Sequence, residues 1–180
     1  MMHLILERYW AICLLKESPE NTPYSISRLF MSGVLLALIM VIEWNFSYLT
    51  ASSDLGTNLF IATSLILSYV IYTYIILFIK GLAARLVQTV TALFYISIII
   101  HILVTPLLFL APYLSQINLK NPLVLIIGVI YLFLSIGISV WQFVITAHIY
   151  KHALSITPIQ SVLAAFGLIA VNILTVSSLQ

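Results

Sequence analysis

The chain has 180 residues, 63% hydrophobic and only 7% charged, with a formal net charge of +2. A soluble domain carries about 25% charged residues, so there is too little charge to coat a water-facing surface, and no basic face for nucleic acid. The single cysteine, Cys13, excludes an intramolecular disulfide and a cysteine-rich metal site.

From the N-terminus, residues 3–15, HLILERYWAICLL, are apolar but too few to cross a bilayer, and Glu7 and Arg8 interrupt them. No small-residue cleavage site follows, so a cleaved signal peptide is not expected. Tyr9 and Trp10 suit a headgroup region, which predicts a short helix in the cytoplasmic interface. Its modest amphipathicity leaves docking against a helix bundle as an equal alternative. KESPENTPYS, residues 16–25, then reads as an elbow. Pro19 ends the first helix, and Thr22 caps the next with Pro23 at its first position. The same segment, through Pro19, Pro23, Tyr24 and Ser25, is a candidate partner contact; a plain linker is the alternative.

Five apolar runs follow, at about 29–49, 59–79, 86–111, 123–149 and 159–179. Each has 20 or more residues, enough for a helix to cross a hydrocarbon core about 30 Å thick. Without water to satisfy the backbone, spans must be helices or a closed barrel, and none of these runs alternates with period two. Pro106 should kink the third span or end it early. Asn121 and Thr157, each before a proline, are expected caps of the last two. The expected fold is an all-α integral membrane protein. Residues 1–25 form the interfacial helix and elbow, and 26–180 form a five-helix transmembrane domain.

Basic residues orient this bundle. Arg8, Lys16, Arg28, Lys80, Arg85 and Lys151 fall on one side of a five-span layout and only Lys120 on the other. The positive-inside rule predicts a cytoplasmic N-terminus and a periplasmic C-terminus in a bacterial inner membrane.

The layout together with Lys16–Ser25 resembles the small Yip-type (Rab-interacting-like) bacterial multi-pass membrane proteins, in which a PYS element leads into the first membrane helix. That resemblance implies a five-span protein with trafficking or scaffolding roles, and no catalytic residues. Size and composition are also similar to polytopic inner-membrane subunits of type IVB secretion systems.

Ionisable residues within a span mark functional candidates. Glu43 is the only carboxylate in any span; His101 and Asn172 lie inside the third and fifth. Counting from Leu29, Leu86 and Pro158, the three sit fourteen, fifteen and fourteen residues along helices that run the same way. At 1.5 Å per residue they share one level, roughly 21–23 Å from the cytoplasmic edge. This predicts an intramembrane polar layer of Glu43, His101 and Asn172. Three readings are open: a proton or ion relay, a structural pin between helices, or no contact, with Glu43 reaching the outer interface beside Trp44, Asn45 and Tyr48.

His148 and His152 share a helical face. A cap at the helix C-terminus explains them better than a metal site, and no metal is expected. Small residues at Ser64 and Ser68, Ser135 and Ser139, and Ser161 and Ala165 allow close helix approach. The chain has no GxSxG, HExxH or phosphate loop. The expectation is a non-enzymatic scaffold or assembly subunit without cofactor. Its partners would be membrane lipids and other membrane proteins or copies of itself, in a secretion or trafficking complex. The alternative is a small proton- or ion-coupled transporter using Glu43 and His101.

Overall fold

The computed structural model describes residues 2–46, 54–115 and 122–179. These form six α-helices: α1 (Met2–Cys13), α2 (Ile26–Phe46), α3 (Leu55–Ile79), α4 (Leu86–Ser115), α5 (Pro122–Ala153) and α6 (Pro158–Leu179). No strand occurs among the described residues. α2 to α6 are each long and apolar enough to cross a membrane.

Local sequence sets the boundaries. Asp54 caps α3, its Oδ1 accepting from Leu55 N at 2.8 Å. Pro122 and Pro158 open α5 and α6, where the missing N–H costs nothing. Thr157 and Gln160 cap α6 reciprocally: Gln160 N donates to Thr157 Oγ1, and Thr157 N donates to Gln160 Oε1. Asn121, the expected cap of α5, lies outside the described residues.

Three helices end on a residue in the left-handed region. Gly81 (φ 70°) follows α3, Leu15 (φ 60°) follows α1 and Ser155 (φ 51°) follows α5. Each end is closed by a backbone bond reaching five residues back: Leu82 N to Leu77 O, Lys16 N to Ala11 O and Ile156 N to Lys151 O. Only the first uses glycine, which adopts this conformation without steric cost.

Two expectations change here. α2 starts at Ile26, not at Pro23, and Ser25 stands before it, its Oγ accepting from Arg28 N at 3.4 Å. Thr22 instead closes a 3-10 turn over Pro19–Asn21, donating to Pro19 O at 2.6 Å. Pro106 does not end its span early, since α4 runs on to Ser115. The proline removes one backbone bond, to Ile102 O, and the remaining ladder carries the helix past it.

The five long helices form a ring in the order α2, α3, α6, α5, α4, closed by α4 against α2. α4 also packs on α3 and α1. Its stretch from Thr89 to Ile100 is buried on nearly every side, with only Tyr95 and Ile99 partly exposed. A helix apolar all round suits such a central column. On α6, Ser161, Ala165 and Leu168 are buried at helical spacing, the close-approach face expected of small residues.

α1 docks on this bundle. Tyr9, Ile12 and Cys13 are buried, and Tyr9 stacks on Tyr95 of α4 with ring centroids 4.1 Å apart. Trp10 meets Trp141 of α5 edge-on, and Trp141 Nε1 donates to Cys13 O at 3.1 Å. The elbow is fastened nearer the basic end. Gln88 donates to Thr22 O at 2.8 Å, and the His148 ring lies 3.0 Å from Glu17 O. Gln88 to Tyr95 and His148 to Trp141 are both seven-residue steps, so from elbow to Tyr9 the chain climbs about 10 Å along α4 and α5.

Candidate functional site

Glu43 lies one turn from the end of α2, with only 6% of its surface exposed. A buried carboxylate needs hydrogen-bond donors, and α4 supplies two. His101 Nδ1 lies 2.6 Å from Glu43 Oε2, and Thr105 Oγ1 donates to Glu43 Oε1 at 2.9 Å. Thr105 follows His101 by one helical turn, so both side chains leave the same face. Its hydroxyl also points at His101 O, 2.8 Å away, so one proton is shared between two acceptors.

Asn172 of α6 belongs to a neighbouring set. Its side chain meets Ser68 of α3, with Oδ1 2.8 Å from Ser68 Oγ, and Ser68 also lies 2.7 Å from Leu65 O. Asn172 and His101 line one cavity of about 440 Å³. Its other walls include Met40 and Trp44 of α2, Leu65 and Tyr69 of α3, and Ile173 of α6. Ile173 is 62% exposed, which leaves the cavity open on its α6 side.

Glu43 and His101 are therefore in contact, and Asn172 faces the same cavity through a different hydrogen bond. The reading in which Glu43 turns to the outer interface does not hold. Asn45, one of its expected neighbours there, donates to Val41 O of its own helix at 2.8 Å. Tyr48 lies outside the described residues. Thr105 and Ser68 were not singled out from sequence as partners of these groups. For Thr105 the available signal was its place four residues after His101.

The elbow residues take separate places. Pro19 is buried, Pro23 and Tyr24 are exposed, Tyr24 at 59%, and Ser25 is half-buried at the start of α2. Arg85 holds the elbow to the bundle. Its Nη1 lies 2.7 Å from Glu20 Oε1 and also reaches Ala153 O at 3.2 Å and Ser155 Oγ at 3.2 Å. A guanidinium beside the final carbonyls of α5 is favourably placed against the helix dipole. His148 and His152 lie ring against ring, 4.5 Å between centroids. Among the described residues no three His, Cys, Asp or Glu side chains are grouped to hold a metal ion.

No family model matches the chain, and no curated protein and no solved structure shows significant similarity to it.

Proposed function

We propose that this protein is a non-enzymatic scaffold or assembly subunit of a bacterial inner membrane, working through helix and lipid contacts. The observation that carries the reading is α5. It contains the most apolar of the five spanning stretches, yet none of its most apolar window is buried within the molecule. Up to Val144, no described side chain of α5 is buried; only its last turns, from Ile145, enter the core. A β-carbon added at Gly128 or Gly137 would meet nothing within 4 Å. Without a Cβ, two helices can approach closely in a membrane. A second copy of the chain, or a helix of another membrane protein, fits this free length of α5. Gly137 is exposed, whereas Gly128 lies half a turn away on the half-buried side with Tyr131, Ser135 and Ile138. Leucine at Gly137 therefore tests it, because the single chain has room for the side chain and an assembly contact does not.

In this reading Glu43, His101 and Thr105 pin α2 to α4. The elbow is a strap held by Arg85 and Gln88, with Tyr24 left outward for a partner. α1 is read as entering the membrane part-way from the cytoplasmic side. The positive-inside rule supports that orientation. A cysteine at Ser155 should resist an impermeant thiol reagent applied from the periplasm, and one at Ser178 should react. The reverse pattern would invert the protein.

A second reading, a small proton-coupled transporter, is favoured by the 2.6 Å contact of His101 with Glu43 beside an open cavity. Histidine changes charge near neutral pH, and paired ionisable groups inside a span mark proton pathways. A proton flux lost in Glu43→Gln, with the protein level unchanged, would establish it over the scaffold.

A further inference from the structure

The cavity between α2, α3, α4 and α6 has mainly apolar walls, with His101 among them. His101 spends Nδ1 on Glu43, which leaves Nε2, on the opposite edge of the ring, for the cavity that His101 lines. Charge decides what Nε2 offers. An isolated charge in hydrocarbon is costly, so the pair is least costly when neutral overall. Thr105 donates to Oε1, so this oxygen carries no proton. Two neutral arrangements then keep the Nδ1 to Oε2 bond: carboxylate with imidazolium, or acid protonated on Oε2 with imidazole. In both, Nε2 carries a proton. The cavity is thus presented with an N–H donor, and its complement is a hydrogen-bond acceptor.

The rest of the site narrows the ligand. An anion gains little from a pair without net charge, and a cation would face an N–H. Asn172 is engaged by Ser68 and by the Tyr69 hydroxyl, so His101 is the group with a hydrogen bond to offer. Met40, Leu65, Ile173 and Val176 provide apolar contact, and Trp44 and Tyr69 provide ring faces. About 440 Å³ falls in the size range of small-molecule sites.

We propose that this cavity binds a neutral, lipophilic ring compound through a carbonyl oxygen, a molecule of the lipoquinone class, with His101 Nε2–H donating to the carbonyl. The site is separate from the assembly surface, because α5 contributes no residue to it. Loss of one leaves the other standing.

The shared chemistry is a neutral carbonyl on a lipophilic body, and an ester lipid carries that too. The test therefore uses two probes on the full chain in lipid nanodiscs. Decylubiquinone is titrated against the intrinsic tryptophan fluorescence, and monoolein is added as competitor. Saturable quenching that monoolein does not reverse is expected. Ser177→Phe, which adds bulk at an exposed lining position away from Glu43, should weaken binding by roughly tenfold or more. His101→Leu with Glu43→Leu removes the donor and leaves no carboxylate unpaired, and should weaken binding by about tenfold. Absence of saturable quenching would overturn the site. So would equal binding by the wild type and Ser177→Phe. Full displacement by monoolein would overturn the quinone assignment in favour of an ester lipid.

Discussion

The Tyr72 hydroxyl of α3 lies directly over Gly167 of α6 and donates to Ala164 O at 2.8 Å. A β-carbon on residue 167 would come within 2.9 Å of the Tyr72 ring carbon that bears the hydroxyl. Glycine is thus required by its neighbour, at a helix position where alanine would ordinarily help by about 1 kcal/mol. Gly167→Ala should instead destabilise the α3–α6 contact by about 1–3 kcal/mol, the range for overpacking a close contact. Thermal unfolding in detergent checks this. Gly167→Ala in a Tyr72→Phe background should cost less, since the clashing oxygen is gone; an unchanged cost would remove Tyr72 as the cause.

Glu43 and His101 give an asymmetric expectation. Glu43→Gln keeps the shape and a hydrogen bond to Thr105, so protein level should stay near normal. His101→Leu leaves a buried carboxylate with Thr105 alone, and should lower stability by about 3–5 kcal/mol. Quantifying both variants in membranes, together with their melting temperatures, separates them. If His101→Leu were as stable as the wild type, the pair would not be pinning α2 to α4.

Level along the helices was legible in the sequence, and direction around a helix was not. Charge breaks between apolar runs placed five spans, because length and composition alone decide whether a helix can cross. Glu43 and His101 could be matched by counting residues along parallel spans. The count said nothing about azimuth, so Asn172, at the same level, turned out to meet Ser68. α4 and α5 have similar composition, yet one is the central column and the other lies half outside the bundle. Uniformly apolar helices carry no polar face to show which side is buried. The docking of α1 was equally hidden, since Tyr9 finds Tyr95 within one of these featureless runs.

Cys13 reports on that docking. Its thiol is fully buried, and burial pushes its pKa up from 9.0 to about 11. At pH 8 alkylation by N-ethylmaleimide should be slow, limited by undocking of α1. Trp141→Phe removes the bond to Cys13 O and should speed labelling by about fivefold. A thiol pKa raised in the docked state favours docking fully below pH 9, and that contribution is lost as pH rises toward 11. The Tyr9 phenol, pushed up to about 12 chiefly by burial and then by Tyr95, acts in the same direction. Labelling as fast as in a denatured sample at pH 8 would mean that α1 is not docked.

Assembly through α5 is tested most directly by the size of the protein as extracted from its own membrane in polymer-bounded lipid discs. The single chain has a mass of 20.2 kDa. Native mass spectrometry should find the wild type in a larger assembly containing further copies or another membrane protein. Gly137→Leu, with space for the new side chain in the single chain, should shift it to 20 kDa-class single chains at an unchanged protein level, and Gly128→Leu, on the opposite face, should not. A wild type recovered only as a single chain with lipid, or an assembly that survives Gly137→Leu intact, would contradict the account.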